Sequence, residues 1–143
     1  MTTIDTTSGP AIAESLLHGI GNENWQAATH LLGAHRDGYW LRRFLAEEPA
    51  VLSGLWGSSQ LVASTDADAP SIDWEAVGAR LAANAGNWPK ASSSESAVLQ
   101  VAASLMGKWT VDLLRVVHVL DDVELRLVLR ALAEVGNVNI STT

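Results

Sequence analysis

The chain has no cysteine, one tyrosine, one phenylalanine, and only 9 lysines and arginines against 16 aspartates and glutamates. Without cysteine there is no disulfide, no thiolate nucleophile and no thiolate-bound zinc or iron–sulfur centre. The formal charge of -7 repels phosphate backbones and anionic lipid, so nucleic acid is disfavoured as a partner of this acidic chain. Long apolar runs are missing as well. Residues 98–106, interrupted by Gln100 and Ser104, fall far short of the roughly 20 that cross a bilayer, and no membrane partner is expected. Met1 to Asp5 carry neither the basic nor the apolar region of a secretory signal, so the expectation is a cytoplasmic protein. Sustained apolar/polar alternation of the kind a half-buried strand needs is also absent, which leaves an all-α class.

What is present is enough for one core. The 143 residues, 48% hydrophobic and 17% charged, fit a single domain, 1–143, and exclude a disordered tail. The periodicity predicts a compact bundle of about six to seven short helices. Ser8-Gly9-Pro10 opens the first, because proline in the first turn gives up an amide that has no intrahelical partner; its stripe is Ile12, Leu16, Leu17 and Ile20. Asn22 or Asn24 caps a second helix that buries Trp25, Ala28, Leu31 and Leu32. Asp37 is expected to cap a third, with Trp40, Leu41, Phe44 and Leu45 on one face. One or two turns follow at 50–56, then a mobile connection at 58–70, rich in Ser, Thr, Asp and Ala.

The next helix opens at Ser71 to Asp73, with Trp74, Val77, Leu81 and Ile72 as its buried face, and stops at Ala85-Gly86-Asn87. Trp88-Pro89 forces an extended step. Ser92-Ser93-Ser94-Glu95 has the spacing of a capping box, and Asp121-Asp122-Val123-Glu124 repeats it. Between them, Thr110 begins a shorter helix expected to turn Leu113, Leu114, Val117 and Leu120 inward. The final helix carries Leu125, Val128, Leu129, Leu132 and Val135 before Gly136. The ends, 1–8 and 137–143, are expected to fray. The run 92–136, with its Ser-Ser-Ser-Glu cap, Ala102-Ala103-Ser104-Leu105, Val111-Asp112-Leu113 and Leu120-Asp121, resembles the tail of small uncharacterised helical proteins from high-GC bacteria. Trp74-Glu75-Ala76-Val77-Gly78 belongs to the same pattern. The resemblance implies a helical fold and brings no activity with it.

Reactive constellations are scarce. His30 and His35 are five apart, about 140° around a helix, so they do not chelate one ion as an i, i+4 pair does. Glu14 and His18 share a face but read as a surface contact; no metal site and no cofactor is expected. Gly57-Ser58-Ser59 is no nucleophile elbow, and Gly107-Lys108 and Gly19-Ile20-Gly21 are helix ends rather than phosphate loops. No catalytic residue is assigned.

The one anomaly is His35 to Phe44, which holds Arg36, Arg42, Arg43 and the chain's only Tyr39 and Phe44. Planar guanidiniums beside rigid aromatics suit an interface hot spot, whereas in a purely structural role the arginines pair with Asp37, Glu47 or Glu48. Trp56, Trp88 and Trp109 stand at element ends beside Gly, Pro or Lys, where indoles cover the core's rim or meet a partner. The candidate partner-binding set is therefore His35, Arg36, Tyr39, Arg42, Arg43, Trp56, Trp88 and Trp109. The favoured reading is a non-catalytic helical protein-binding module with an unidentified protein partner, self-association included. Two alternatives stand beside it: a three-helix DNA-binding regulator using 97–136, with Arg126 and Arg130 on its last helix, and an enzyme with a His/Arg site around 30–43, which needs a pocket where those side chains meet.

Overall fold

Side-chain caps set the starts of six of the seven α-helices in the computed structural model, which describes residues 4–53 and 70–138. Ser8 accepts from the Ala11 amide to start α1 (Gly9–Leu16), and Asn22 from Trp25 to start α2 (Glu23–Ala34). Asp73 starts α4 (Trp74–Ala83), and Asp112 starts α6 (Leu113–Val119). Both capping boxes form, Ser92 with Glu95 on α5 (Ser93–Leu105) and Asp121 with Glu124 on α7 (Asp122–Val135). Each such cap satisfies an amide that the helix leaves unpaired, and is worth about 1 kcal/mol.

The exception is α3 (Tyr39–Glu47), which follows Gly38 with no side-chain cap. Asp37 does not cap it, contrary to expectation. A tight turn over His35–Asp37 places Arg36 and Asp37 at φ 48° and 54°, and from there the Asp37 carboxylate accepts the Gly9 amide of α1 at 2.8 Å. The residue caps a helix 28 positions upstream instead of the one it precedes. Two consecutive non-glycine residues in the left-handed region cost roughly 1–2 kcal/mol each, so the turn persists only because contacts on both sides fix it.

Helix α2 is central and lies against α1, α5 and α7. The core runs from Ile12, Leu16 and Leu32 through Leu41, Leu52, Ile72 and Leu81 to Leu99. Trp40, Phe44 and Trp88 pack together at its centre, with Trp40 and Trp88 edge to face at 5.7 Å. Arg43 and Arg80 cover this aromatic group, their guanidiniums 5.4 Å from Trp40 and 4.9 Å from Trp88. After α3, Pro49–Val51 makes one 3-10 turn, then β1 (Leu52–Ser53) pairs antiparallel with β2 (Ser71–Ile72), Leu52 opposite Ile72. The clasp is two residues long and leaves the all-α class intact. Trp56 and all of the 58–70 connection except the buried Pro70 lie outside the described residues.

The face of α6 corrects a second expectation. Val116 and Leu120 are its buried residues, while Leu113, Leu114 and Val117 are exposed. Apolar side chains occur all the way round this short helix, so spacing alone does not select the side that meets α5. On α7 the core takes Val128 and Ala131 together with Glu124, and leaves Leu129 and Leu132 exposed.

Candidate functional site

The turn at His35–Asp37 aims two side chains at the two capping-box glutamates. Glu95 and Glu124 each sit at the third position of their helices, where one carboxylate oxygen accepts the cap residue's amide, from Ser92 at 2.9 Å and from Asp121 at 3.0 Å. Their other oxygens are thereby turned toward α2 and α3. Arg36 bridges both, Nη1 to Glu95 and Nη2 to Glu124 Oε2 at 3.2 Å. His35, fully buried, places Nε2 2.9 Å from the same Glu124 oxygen, and its Nδ1 has no protein partner among the described residues. Burial alone pushes the Glu95 carboxyl upward, but the Ser92 amide, the Tyr39 hydroxyl and the Arg36 charge outweigh it and hold the group below its ordinary value. The cluster ties α5 and α7 to the turn between α2 and α3.

Of the residues expected to face a partner, His35, Arg43 and Trp88 are interior. Trp88, at 1% exposure, is packed among Trp40, Phe44 and Arg80 because the step before Pro89 folds it inward. Arg43 is pinned by Tyr39 at 3.3 Å, by the Pro89 carbonyl and by the Trp40 ring, with Glu47 and Glu48 at 3.8 and 3.9 Å. Arg42 reaches the surface, yet all three of its nitrogens donate within the chain, to the Asp37 carbonyl and carboxylate and to the Thr6 carbonyl. Arg36 is partly exposed, and Tyr39 lines a groove of about 380 Å³ with Arg42, Arg43, Ala46, Glu47 and Lys90. Trp109 is half-buried and stands far along the chain from this group, at the end of another groove. Trp56 is outside the described residues.

The pocket that the enzyme reading requires does not form around both histidines. His35 is enclosed, whereas His30 lies at the seam of three helices, with Nε2 2.8 Å from Glu14 on α1 and Nδ1 2.8 Å from Glu134 on α7. Arg130 lines the same small groove. Glu14 thus bonds His30 rather than marking a surface pair with His18. Among the described residues no group of three or more His, Asp or Glu is placed to hold a metal ion, and no helix is long and apolar enough to cross a membrane.

An imidazole between two carboxylates has both nitrogens best used as donors, which needs the protonated ring. Burial lowers the His30 pKa, but its bonds to Glu134 and Glu14 and their charges win, and the net shift is upward from 6.5. The stability this group contributes is therefore complete below the unfolded value and is lost as pH rises through the higher folded one. The melting temperature of the unaltered chain minus that of His30→Gln is expected to be largest between about pH 5 and 6.5 and to shrink toward pH 8. Parallel thermal melts of the two proteins across that range check it; a constant difference would show that folding leaves the ring's pKa unchanged.

The glutamates were visible in the sequence as capping residues, but their second role was not. A capping box fixes where a glutamate sits on its own helix, and nothing in the local pattern says that two boxes meet one arginine 59 and 88 residues away. With the helical class and this cluster in view, comparison of the chain with protein-family models, curated proteins and solved structures finds no match.

Proposed function

We propose that this chain is a non-catalytic helical interaction module that self-associates through the outer side of α6 and α7. One observation carries the reading. Among the described residues, the large apolar side chains left exposed are Leu113, Leu114, Val117, Val123, Leu129, Leu132 and Val138, all in the last quarter of the chain. Leu113 and Leu114 stand 64% and 66% exposed. Single exposed leucines are ordinary; so many on two consecutive helices support a surface that another surface covers.

Support from the basic and aromatic stretch 36–43 is weaker than composition implied, because its arginines spend their donors inside the chain. The DNA-binding reading also lacks support. Arg126 is held by Asp122 at 3.0 Å, and Asp121 and Asp122 stand at the N-terminal end of α7, the end such readers offer to base edges.

The test is mass in solution by light scattering or sedimentation. The unaltered chain is expected to give a dimer or larger species that dissociates on dilution. Leu113→Glu combined with Leu129→Glu is expected to give a monomer, with stability within about 1 kcal/mol of the parent, since both side chains are exposed. A chain that is monomeric at every concentration would overturn the proposal.

A further inference from the structure

A groove lined by Trp109 lies outside the self-association reading. It begins where α4 ends. Ala85 and Gly86 turn the chain through two consecutive left-handed residues, φ 56° and 88°, and Gly86 donates its amide to the Leu81 carbonyl at 2.8 Å. The Gly86 carbonyl is held in turn by the Gln100 side chain. A Cβ at Gly86 would stand 2.9 Å from Cζ2 of Trp109, so the bare glycine is what lets the indole lie against this turn. Strain at Ala85, a non-glycine residue in the left-handed region, is thus spent on a surface that seats an aromatic ring.

The groove holds about 380 Å³, within the range of small-molecule sites. With Trp109, the groove is lined by Asn87, Thr110, Asp112 and Arg115, which bring an amide, a hydroxyl, a carboxylate and a guanidinium. Asp112 uses one oxygen to cap α6, 3.3 Å from the Arg115 amide, and keeps the other. The side chains of Asn87, Thr110 and Arg115 bond to no protein group among the described residues. One negative and one positive charge cancel, so the groove has no net attraction for an ion. What remains is a flat apolar ring edged by planar groups that each accept or donate to adjacent hydroxyls. A sugar ring presents that combination: a C–H face for the indole and neighbouring hydroxyls for the amide, carboxylate and guanidinium.

We infer that this groove binds a neutral saccharide, one or two rings in size, stacked on Trp109 and hydrogen-bonded by Asn87, Asp112 and Arg115. The probes are glucose, galactose, N-acetylglucosamine and cellobiose, titrated into the full chain while the Trp109 indole N–H is followed by NMR, its signal assigned from its loss in Trp109→Phe. At least one sugar is expected to shift that signal saturably in the millimolar range. Affinity measured by calorimetry should fall about tenfold or more in Trp109→Ala, and several-fold in Arg115→Ala, whose exposed side chain leaves the fold alone. Trp109→Phe, which keeps an aromatic face, should retain most of it. No saturable shift with any of the four sugars, or equal affinity in the Arg115→Ala and Trp109→Ala chains and the parent, would overturn the assignment. A response to glucose 6-phosphate alone would overturn it too, since that would make the recognised group an anion. Loss of sugar binding leaves the oligomer mass unchanged, so failure here and failure of the self-association reading are separable.

Discussion

Glu124→Ala is expected to destabilise the protein by about 3–5 kcal/mol, the range for removing one partner from a buried ionic network. The Glu124 side chain is almost fully buried and uses both of its oxygens: Oε1 on the Asp121 amide, Oε2 on His35 and Arg36. Alanine removes one half of the α7 capping box and leaves the Asp121 amide without its acceptor, leaves His35 buried with neither ring nitrogen bonded among the described residues, and leaves Arg36 with Glu95 alone. Glu124→Gln keeps the shape and a carbonyl oxygen, so it should cost less than half as much. Chemical denaturation of the three proteins measures this. A loss under about 1 kcal/mol for the alanine variant would mean that the network merely fills space.

How far the sequence reaches can be judged from the same residues. Caps were legible where their chemistry is local: Ser92 and Asp121 bond the amide three residues on, as their capping-box spacing predicts, and of the two candidates Asn22 and Asn24 it is Asn22 that caps. Asp73 caps its helix alone, because Ser71 and Ile72, expected within that helix, pair as a strand. Core faces were legible where polar residues flank them, as at Trp40, Leu41 and Phe44. They were not legible on α6, whose apolar residues encircle it, nor at Glu124, whose burial is tolerable only because His35 and Arg36 arrive from 89 and 88 residues away. Asp37 fails for a related reason. Its position before α3 is the ordinary one for a cap, but the left-handed turn at Arg36 and Asp37 redirects the carboxylate to Gly9. The expectation that Arg36, Arg42 and Arg43 pair with Asp37, Glu47 or Glu48 in a structural role holds for Arg42 and Arg43 and fails for Arg36, which goes to Glu95 and Glu124. The burial of Arg43 was not legible, because it follows from the ring of Trp40 and the carbonyl of Pro89.

Gly9→Ala should reverse the usual sign of its kind. In a helix interior this substitution normally stabilises, by roughly 0.5–1 kcal/mol. At Gly9 the new Cβ would lie 2.0 Å from the Gly33 carbonyl oxygen and 2.4 Å from backbone atoms of both Asp37 and Gly38. These are backbone atoms of α2 and of the turn, so no side chain can rotate away. Helix α1 must lift, and the Gly9 amide must leave Asp37. The expected loss is about 3 kcal/mol, at the upper end of overpacking costs. Gly21→Ala, where nothing lies within 4 Å, supplies the control and should stay within about 1 kcal/mol of the parent. Since the Gly9 contact holds Asp37, and Asp37 is next to the Arg36 that Glu124 binds, the losses at Gly9 and Glu124 should not add. Once α1 has lifted, the turn no longer aims Arg36 and His35, and removing Glu124 then costs less. A double-mutant cycle is expected to show a coupling above about 0.5 kcal/mol between the two sites; simple additivity would mean that the turn keeps its shape without α1 and that Asp37 caps that helix without supporting the cluster.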